Sequence, residues 1–325
     1  SIDIAHLHIF YGKLTASILS QLHKRQIPIV QTLHEYRLIC PVANLYRDDQ
    51  VCEECQGYKF YKAIRHKCNR GSLTRSLLTT LEIYISRIAG YPSFVDHFIT
   101  VSDFMRMKLE EFGVPKAKMT TVHNFIDCSK YVPKFNHGDY LLYFGRLEQS
   151  KGLQLLLEVM QNLPDCRLVV AGNGPYYDSM QHHINECRMR NVTLVGFCQG
   201  EHLTKLIRNS FATILPSKWY EGFPMAILES FAYGKPVIGS DIGGISEAVN
   251  QGKDGLLFPV GNADKLKYSI EWLASHPDES VAMGKSARTK IEKHFNQDDH
   301  YQKIMSVYER LAVQRKSCLL YTSDA

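Results

Sequence analysis

The sequence of 325 residues lacks several features that would place it in a special class. No apolar run reaches the roughly 18 residues that a membrane-spanning helix needs. No initiator Met or signal peptide precedes the strand-like residues 2–8, and we expect the first elements of the fold to be missing. The nine cysteines form no dense framework, which fits a reducing compartment better than secretion. A composition of 45% hydrophobic and 22% charged residues then excludes wholesale disorder.

Positive charge is concentrated in the first half of the chain. Residues 1–135 contain 18 Lys and Arg against 12 Asp and Glu, a balance of +6, whereas the remainder contains 20 against 21, a balance of −1. This asymmetry predicts that the first half of the chain binds an acidic partner or an anionic surface. No nucleic-acid-binding motif accompanies it, so we predict no nucleic-acid partner.

Short β-branched runs alternate with amphipathic helical patterns along most of the sequence. The predicted strands are residues 27–32, 97–101, 119–122, 140–144, 167–171, 192–195, 212–215 and 236–239. This alternation is typical of an α/β protein with parallel sheets covered by helices. A Pro, an Asn and a Gly in residues 131–138 mark a boundary. We therefore expect two Rossmann-like domains, over 1–135 and 139–296, followed by a helix over 297–314 and a tail over 315–325.

The most informative motif begins with Glu221, Gly222, Phe223 and Pro224 and continues to Glu229. Pro suits the start of a helix, and Gly lets the backbone approach a ligand closely. A helix N-terminus attracts anions through its free N–H groups and its dipole. The two carboxylates could therefore contact different parts of one ligand, although a capping Glu and a surface Glu would give the same pattern.

Two further motifs follow predicted strands of the second domain. Gly145 and Arg146 come directly after one strand, and Lys151 follows five residues later. An Arg fork and a Lys point charge match a diphosphate, although two surface cations on a solvated loop are the alternative. Gly172-Asn173-Gly174 follows the next strand as a tight turn, which by itself is a weak signal.

The order of these motifs resembles that of the group 1 (GT4-type) glycosyltransferases. Gly234-Lys235-Pro236 and Gly243-Gly244 continue the series, and the resemblance covers about residues 1–312. Phe125 departs from it, because the family usually has Gly there. The resemblance implies the GT-B fold, in which two Rossmann-like domains face each other across a cleft. It also implies a first domain truncated at its N-terminus, on the acceptor side, and a C-terminal helix that packs back across the hinge.

The resemblance also implies roles for single residues. Arg146 and Lys151 would hold the donor diphosphate, Glu229 would bind the ribose, and Glu221 would contact the sugar. His34 would face the reaction centre. The complete set comprises the catalytic residues Glu221, His34, Lys151 and Arg146 and the donor-binding residues Gly145, Arg146, Lys151, Gly172, Asn173, Gly174, Phe197, Glu221, Gly222, Phe223, Pro224 and Glu229.

The implied activity is transfer of a sugar from a nucleotide-sugar to a hydroxyl acceptor, with retention of configuration. The acceptor would be a glycan, a lipid-linked precursor or a polysaccharide precursor, and UDP-, GDP- and ADP-sugars all remain open as donors. A nucleotide-sugar epimerase of the same fold and an inactive nucleotide-sugar-binding fragment are the alternatives. Fixed cations and a helix N-terminus stabilise a leaving diphosphate, so we predict no catalytic metal and no cofactor.

Two segments of the first domain suggest further partners. Cys40, Cys52, Cys55 and Cys68 form a Cys-x11-Cys-x2-Cys-x12-Cys pattern that could hold a structural zinc ion, with unpaired reduced cysteines as the alternative. Residues 59–75 contain six cations and no acid. As a basic amphipathic helix they could contact an anionic membrane, with a solvated helix face as the alternative. We accordingly expect a cytoplasmic protein, either free or bound at the inner face of the membrane.

Overall fold

The computed structural model describes residues 2–10 and 16–322, with side chains up to residue 313. The chain forms two compact units. The first unit extends to Arg47 and adds Cys52–His123 and the chain from Asp298 onward, and the second comprises Asp48–Val51 and Asn124–Gln297. Within the described ranges, no helix is both long enough and apolar enough to cross a bilayer.

Helices and strands alternate along both units. In chain order the strands are β1 Ala5–Leu7, β2 Ile29–Leu33, β3 Tyr46–Arg47, β4 Gln50–Val51, β5 His97–Thr100, β6 Met119–Thr121, β7 Tyr140–Phe144, β8 Leu168–Ala171, β9 Val192–Gly196, β10 Ser210–Leu215, β11 Val237–Ser240 and β12 Gly255–Phe258. The α-helices are α1 Ser17–Lys24, α2 Lys62–Arg65, α3 Leu73–Ile88, α4 Asp103–Glu111, α5 Leu153–Gln161, α6 Tyr177–Glu186, α7 Gly200–Asn209, α8 Met225–Ala232, α9 Gly244–Ala248, α10 Ala263–Ser275, α11 Pro277–His294 and α12 Gln297–Thr322.

The first unit is built on a parallel sheet in the order β1-β2-β5-β6. All five residues of β2 and all four of β5 are buried, as expected for central strands of a sheet covered on both faces. Val307 and Leu311 of α12 belong to one buried cluster with residues of this sheet. The last helix is therefore part of the core of the first unit.

The second unit contains a six-stranded parallel sheet in the order β12-β11-β10-β7-β8-β9. All six residues of β10 are buried, and six residues of α5 enter the core on one face. The β-branched and aliphatic runs form strands here because both faces of the sheet are covered by apolar helix surfaces. The predicted α/β class is thereby confirmed.

Each of the eight predicted strands lies within two residues of an observed one. The predictions omitted the two-residue strands β3 and β4, whose length gives no periodicity, and also β12. The last of these begins at Gly255 after a turn rich in Gly, Lys and Asp, which hides the short apolar run that follows.

The N-terminal part of the first unit ends at His123, which is twelve residues before the end of the predicted first domain at residue 135. Backbone hydrogen bonds explain why the linker belongs to the second unit. Ile126 donates its N–H to the carbonyl of Phe295 (3.0 Å), and Lys134 donates to the carbonyl of Tyr233 (3.0 Å). At the other end of the chain, α12 continues to Thr322, so most of the predicted tail has a helical backbone. Residues 323–325 of that tail lie outside the described residues.

The prediction of one basic amphipathic helix over 59–75 was wrong. The segment contains the four-residue α2 and then a turn before α3 begins at Leu73. Phe60 is completely buried and belongs to a small core with Cys55 and Ile83. The buried Phe60 ring therefore anchors the segment to this small core.

Candidate functional site

The strand order of the second sheet creates a switch point between β7 and β10. The chain runs outward from β7 through β8 to β9 and then returns to place β10 on the other side of β7. The loops after β7 and β10 therefore leave the sheet toward opposite sides, which opens a crevice at the carboxyl ends of these strands. The predicted residues Gly145, Arg146 and Lys151 lie on the first loop, and Glu221 lies on the second.

Lys151 and Glu221 meet at this switch point although 70 residues separate them. The Lys151 ammonium donates to Oε1 of Glu221 at 2.6 Å, and the Ser217 hydroxyl donates to the same oxygen at 2.6 Å. The Glu221 side chain is only 9% exposed and that of Lys151 20%. The ammonium also lies 4.8 Å from the centre of the Trp219 ring. The switch point therefore holds one cation and one nearly buried carboxylate in direct contact.

Gly152 allows the two loops to approach this closely. Its φ of +70° is in the left-handed region, and an added Cβ would lie 1.8 Å from the carbonyl oxygen of Pro216. A hydrogen bond also joins the two backbones, in which Lys218 donates its N–H to the carbonyl of Ser150 at 2.8 Å. The two loops pack backbone against backbone, which positions Lys151 opposite Glu221.

Arg146 lies on the same loop as Lys151 but at the surface. Its guanidinium pairs with Glu148, and its side chain is 76% exposed. A hydrogen bond fixes the loop backbone at this position, because the Tyr143 hydroxyl donates to the Arg146 carbonyl at 2.7 Å. Burial raises the pKa of Tyr143, and the nearby charges of Glu221 and Glu148 raise this pKa further. Tyr143 thus lies beside both acids and links Arg146 to the Lys151–Glu221 contact.

The loops after β7, β8 and β9 lie side by side. Leu147 donates its N–H to the carbonyl of Asn173 at 3.0 Å, and Gly172 donates to the last residue of β9 at 2.7 Å. An added Cβ on Gly172 would lie 1.9 Å from the carbonyl oxygen of Gly145, so no larger residue fits there. Phe197 follows β9 and is 70% exposed. The predicted glycine turn therefore adjoins the first loop of the switch point, and the loop that carries the predicted donor-binding residue Phe197 adjoins the glycine turn.

The loop before α8 completes this edge of the sheet. Gly244, at the start of α9, donates its N–H to the Glu221 carbonyl at 2.8 Å, and the Asn124 amide donates to the Phe223 carbonyl at 2.9 Å. Pro224 is the N-cap residue of α8, one position before the predicted first turn, and no side-chain hydrogen bond caps this described helix. The N-terminus of α8, just after Gly222, is thus suited to an anion.

Glu229 lies one turn inside α8. Its side chain is half-buried, and burial raises its pKa. Its charge contributes to the raised pKa of Tyr131, after the larger effect of burial. Glu229 therefore lies beside Tyr131 on the helix that starts at the switch point, and its contact with a ribose stays a prediction.

His34 follows β2 in the first unit and has histidine neighbours. Its Nε2 lies 2.9 Å from Nδ1 of His8, and the two rings stack with centroids 5.2 Å apart. Burial and the neighbouring His8 lower the pKa of His34. His6 stacks on the other side of His8, and burial lowers its pKa to about 4, with contributions from the neighbouring histidines. The role of His34 stays a prediction.

His6 and His8 were not among the predicted site residues. Their signal was the alternation of two histidines in the strand-like opening segment, because residues two apart in a strand share one face. β1 pairs with β2 in parallel, so these residues come to lie near the residue that follows β2.

The cysteines proposed to bind zinc all lie in the first unit, and none of these four described residues is in a disulfide bond. Burial raises the pKa of Cys55 to about 12, and the neighbouring Cys40, Cys52 and Cys68 raise it as well. The four thiols are therefore neighbours. In the part of the chain that the structure describes, however, no three cysteine sulfurs lie close enough together to share one ion. A structural zinc ion stays a prediction.

These features define a class of protein. It is an α/β protein with two parallel-sheet units, and the second has glycine-rich loops, a Lys–Glu contact and an uncapped helix start at its switch point. Sites of this kind bind ligands that combine an anionic group with hydroxyl groups.

Comparison with known proteins assigns this class to a family. The family model for glycosyl transferases group 1 matches residues 129–290, and the model for glycosyltransferase family 4 matches residues 1–130. The chain belongs to the group 1, GT4-type glycosyltransferases, which confirms the predicted resemblance.

Curated relatives and solved structures agree with this assignment. The D-rhamnosyltransferase WbpZ of Pseudomonas aeruginosa is 29% identical over 189 residues, which is 58% of this chain and 48% of WbpZ. The glycogen synthase of Mycobacterium tuberculosis is 29% identical over 212 residues, 62% of this chain and 51% of that enzyme. The chain thus spans about half the length of these relatives. HepE of Anabaena, crystallised with UDP, superposes with a TM-score of 0.72 at 16% identity, covering 94% of this chain and 79% of HepE. This likeness shows the GT-B fold.

Proposed function

We propose that this protein transfers a sugar from a nucleotide-sugar donor to a hydroxyl acceptor. The observation that carries the proposal is the contact of Lys151 with Glu221 at the switch point of the second unit. A cation for a diphosphate and a carboxylate for sugar hydroxyls are adjacent there, on a chain that belongs to a family of glycosyltransferases.

The donor diphosphate is bound by Lys151 and Arg146 together with the N-terminus of α8. When the sugar–phosphate bond breaks, the leaving nucleoside diphosphate gains negative charge. Fixed cations and the helix dipole stabilise that charge without reorganising, which lowers the barrier of the step. The exposed guanidinium of Arg146 can turn toward the phosphates at little cost, because its pairing with Glu148 is at the surface.

The sugar is bound by Glu221. A carboxylate has about four acceptor positions, and Lys151 and Ser217 use two of them, both on Oε1. Oε2 then accepts hydrogen bonds from sugar hydroxyls. The partly buried Glu229 accepts hydrogen bonds from the ribose hydroxyls in the same way, and these bonds compensate for the cost of its burial.

Further parts of the proposal rest on the family and on charge. The family implies retention of anomeric configuration, and the cations at the switch point support transfer without a catalytic metal. The family also implies a catalytic role for His34. The excess of cations in residues 1–135 supports a lipid-linked acceptor and a location at the cytoplasmic face of a membrane.

The test offers the protein UDP-, GDP- and ADP-sugars with EDTA present and measures thermal stability and release of nucleoside diphosphate. One donor class should raise the melting temperature, and release should require an acceptor. Lys151→Met should abolish both effects. Lys205→Met, which removes an exposed Lys paired with Glu201 on α7, is the matched control and should change neither.

Other outcomes would contradict the proposal. A changed sugar with no released nucleotide would indicate an epimerase, and donor binding without turnover would indicate a binding protein. Stabilisation by no donor at all would remove the assignment of the switch point as a donor site.

A further inference from the structure

Helix α3 of the first unit carries large aliphatic side chains on the side that faces solvent. Their exposed fractions run from 42% to 87%, and they are Leu73, Leu77, Leu78, Leu81, Ile85 and Ile88, which we call the α3 apolar face. At about 100° per residue these positions span an arc of about 140° on the helix. The arc contains eight residues, and the other two are the exposed Thr74 and the half-buried Tyr84. Six exposed aliphatic residues on one arc form a predominantly apolar strip, unlike the scattered exposed residues of an ordinary surface.

The opposite side of α3 is the one that packs against the protein. Its buried residues are Ser76, Thr80 and Ile83. The Ser76 hydroxyl accepts a hydrogen bond from the Asn69 backbone N–H at 2.9 Å, and the Thr80 hydroxyl donates to the Phe60 carbonyl at 3.4 Å. The helix thus turns mainly small polar side chains inward and leucines outward, which reverses the usual amphipathic arrangement.

The segment before α3 is held firmly against this inner side. Phe60 is fully buried, with its ring centre 5.4 Å from that of Tyr84, and the Tyr84 hydroxyl donates to the Tyr58 carbonyl at 3.0 Å. The Arg87 guanidinium lies 3.9 Å from the centre of the Tyr58 ring. The segment is therefore ordered by contacts that leave the α3 apolar face uncovered.

This segment surrounds the start of the helix with positive charge. The sequence contains no Asp or Glu from residue 55 to residue 81. Its exposed cations are Lys59, Arg65, Lys67, Arg70 and Arg75. Tyr61, 55% exposed, stands beside them as the kind of residue that favours the level of lipid head groups.

We propose that the α3 apolar face and these cations form a docking surface for an anionic lipid bilayer. The helix would lie in the plane of the interface, with leucines among the acyl chains and cations at the head groups. Its 16 residues span about 24 Å, which is shorter than the hydrocarbon core of a bilayer and suits a parallel orientation. The inference rests on the proposed function in one respect, because it gives a lipid-linked acceptor a surface at which to meet the enzyme.

Charge and composition favour a bilayer over the other occupants. A second copy of the chain docked through the same face would bring two cationic segments together, which costs free energy. The side chains at the centre of protein interfaces are enriched in Trp, Tyr and Arg, whereas this strip consists of Leu and Ile. An anionic bilayer matches both the apolar strip and the positive charge.

The test is co-sedimentation with phosphatidylcholine vesicles that contain or lack phosphatidylglycerol, in the absence of any donor. The protein should bind the anionic vesicles at least tenfold more tightly than the neutral ones. Leu78→Glu/Ile85→Glu should weaken that binding at least tenfold, because two inserting side chains become charged. Met107→Glu, at a 49% exposed position on α4 of the same unit, is the matched control and should change binding less than twofold. Arg70→Gln/Arg75→Gln should weaken binding to anionic vesicles and reduce its dependence on salt.

Each other result would overturn the proposal. Absence of vesicle binding, or equal binding by Leu78→Glu/Ile85→Glu, would show that the strip does not meet lipid. Equal affinity for both vesicle types would contradict the anionic surface. A dimer in analytical ultracentrifugation that only Leu78→Glu/Ile85→Glu disrupts would assign the strip to a second copy. Stabilisation by UDP-, GDP- and ADP-sugars, measured separately on each variant, reports on the second unit, so failure of the proposed function is distinguishable from failure of this inference.

Discussion

The contact between Lys151 and Glu221 can be tested by a double-mutant cycle. Replacing Lys151 with Ala removes one of the two donors to Oε1 of a carboxylate that is only 9% exposed. Removing one partner of a fully buried ion pair costs about 3–5 kcal/mol. The Lys151 side chain is 20% exposed and Ser217 stays in place, so we expect a smaller cost of about 1–3 kcal/mol. The melting temperature of the second unit should fall by about 3–10 °C.

The second arm of the cycle is Glu221→Gln. With the carboxylate replaced by an amide, the loss of Lys151 no longer strands a buried charge. The double variant should therefore be less destabilised than the sum of the single variants, by about 0.5–3 kcal/mol. The control Lys205→Ala removes an exposed partner of Glu201 and should change stability by less than about 0.5 kcal/mol.

Ligand binding separates the roles of the two residues. Calorimetry with the nucleoside diphosphate of the donor class that stabilises the protein should show an affinity about 10–100-fold lower for Lys151→Ala, because a charge-assisted hydrogen bond contributes about 1.5–3 kcal/mol. Glu221→Gln should keep its affinity for this nucleoside diphosphate, which has no sugar at that position, and should lose sugar transfer. Additive single effects on stability, together with unchanged nucleoside diphosphate affinity in Lys151→Ala, would refute the assignment of this contact as the diphosphate site.

Three other perturbations follow from the second unit. Burial raises the pKa of Glu229, so the fold favours the protonated form of this carboxyl group. The stabilisation is present at low pH and is lost as the pH rises through the raised pKa. Glu229→Gln should therefore raise the melting temperature at pH 7, leave it unchanged near pH 4 and weaken donor binding in calorimetry. Burial lowers the pKa of Lys235 from 10.5 to about 8, so the folded protein releases this proton before the unfolded chain does and stability rises with pH between those values. Lys235→Met also removes the ammonium that donates to the Asn136 carbonyl and Oδ1 at 2.9 and 3.2 Å, so the test is the pH dependence of stability. In urea titrations the free energy of unfolding should rise less between pH 8 and 10.5 in Lys235→Met than in the unmodified protein, and an equal rise would contradict this explanation. Gly152→Ala places a Cβ 1.8 Å from the Pro216 carbonyl and should cost more than about 2 kcal/mol, whereas Gly261→Ala, which has a similar φ of +76° and no atom within 4 Å of the added Cβ, should cost only about 1 kcal/mol.

Several properties of this protein were readable from short stretches of sequence. The aromatic and aliphatic run at 140–144 and the β-branched run at 192–195 predicted strands to within a residue, because aromatic and β-branched side chains favour strands over a few positions. The glycines after those strands and the Pro224 turn marked loops in the same local way. The order of the motifs then identified the family, although no motif was sufficient by itself.

Tertiary structure alone decided which of these residues meet. Lys151 and Glu221 are brought together by the return of the chain from β9 to β10, which no local pattern encodes. The contact of His8 with His34 likewise depends on the parallel pairing of β1 with β2.

The orientation of α3 shows most clearly what the sequence determines and what only the tertiary structure decides. The sequence by itself determined that residues 73–88 have one aliphatic and one polar side, since the helical period places residues three and four apart on one face. The structure turned the small polar side inward, where Phe60, Asn69 and Tyr84 provide its contacts, and left the leucines outside. The physical reason is that the periodicity of apolar and polar residues is a property of one helix. Which side of the helix becomes buried depends on the neighbouring parts of the protein against which it can pack.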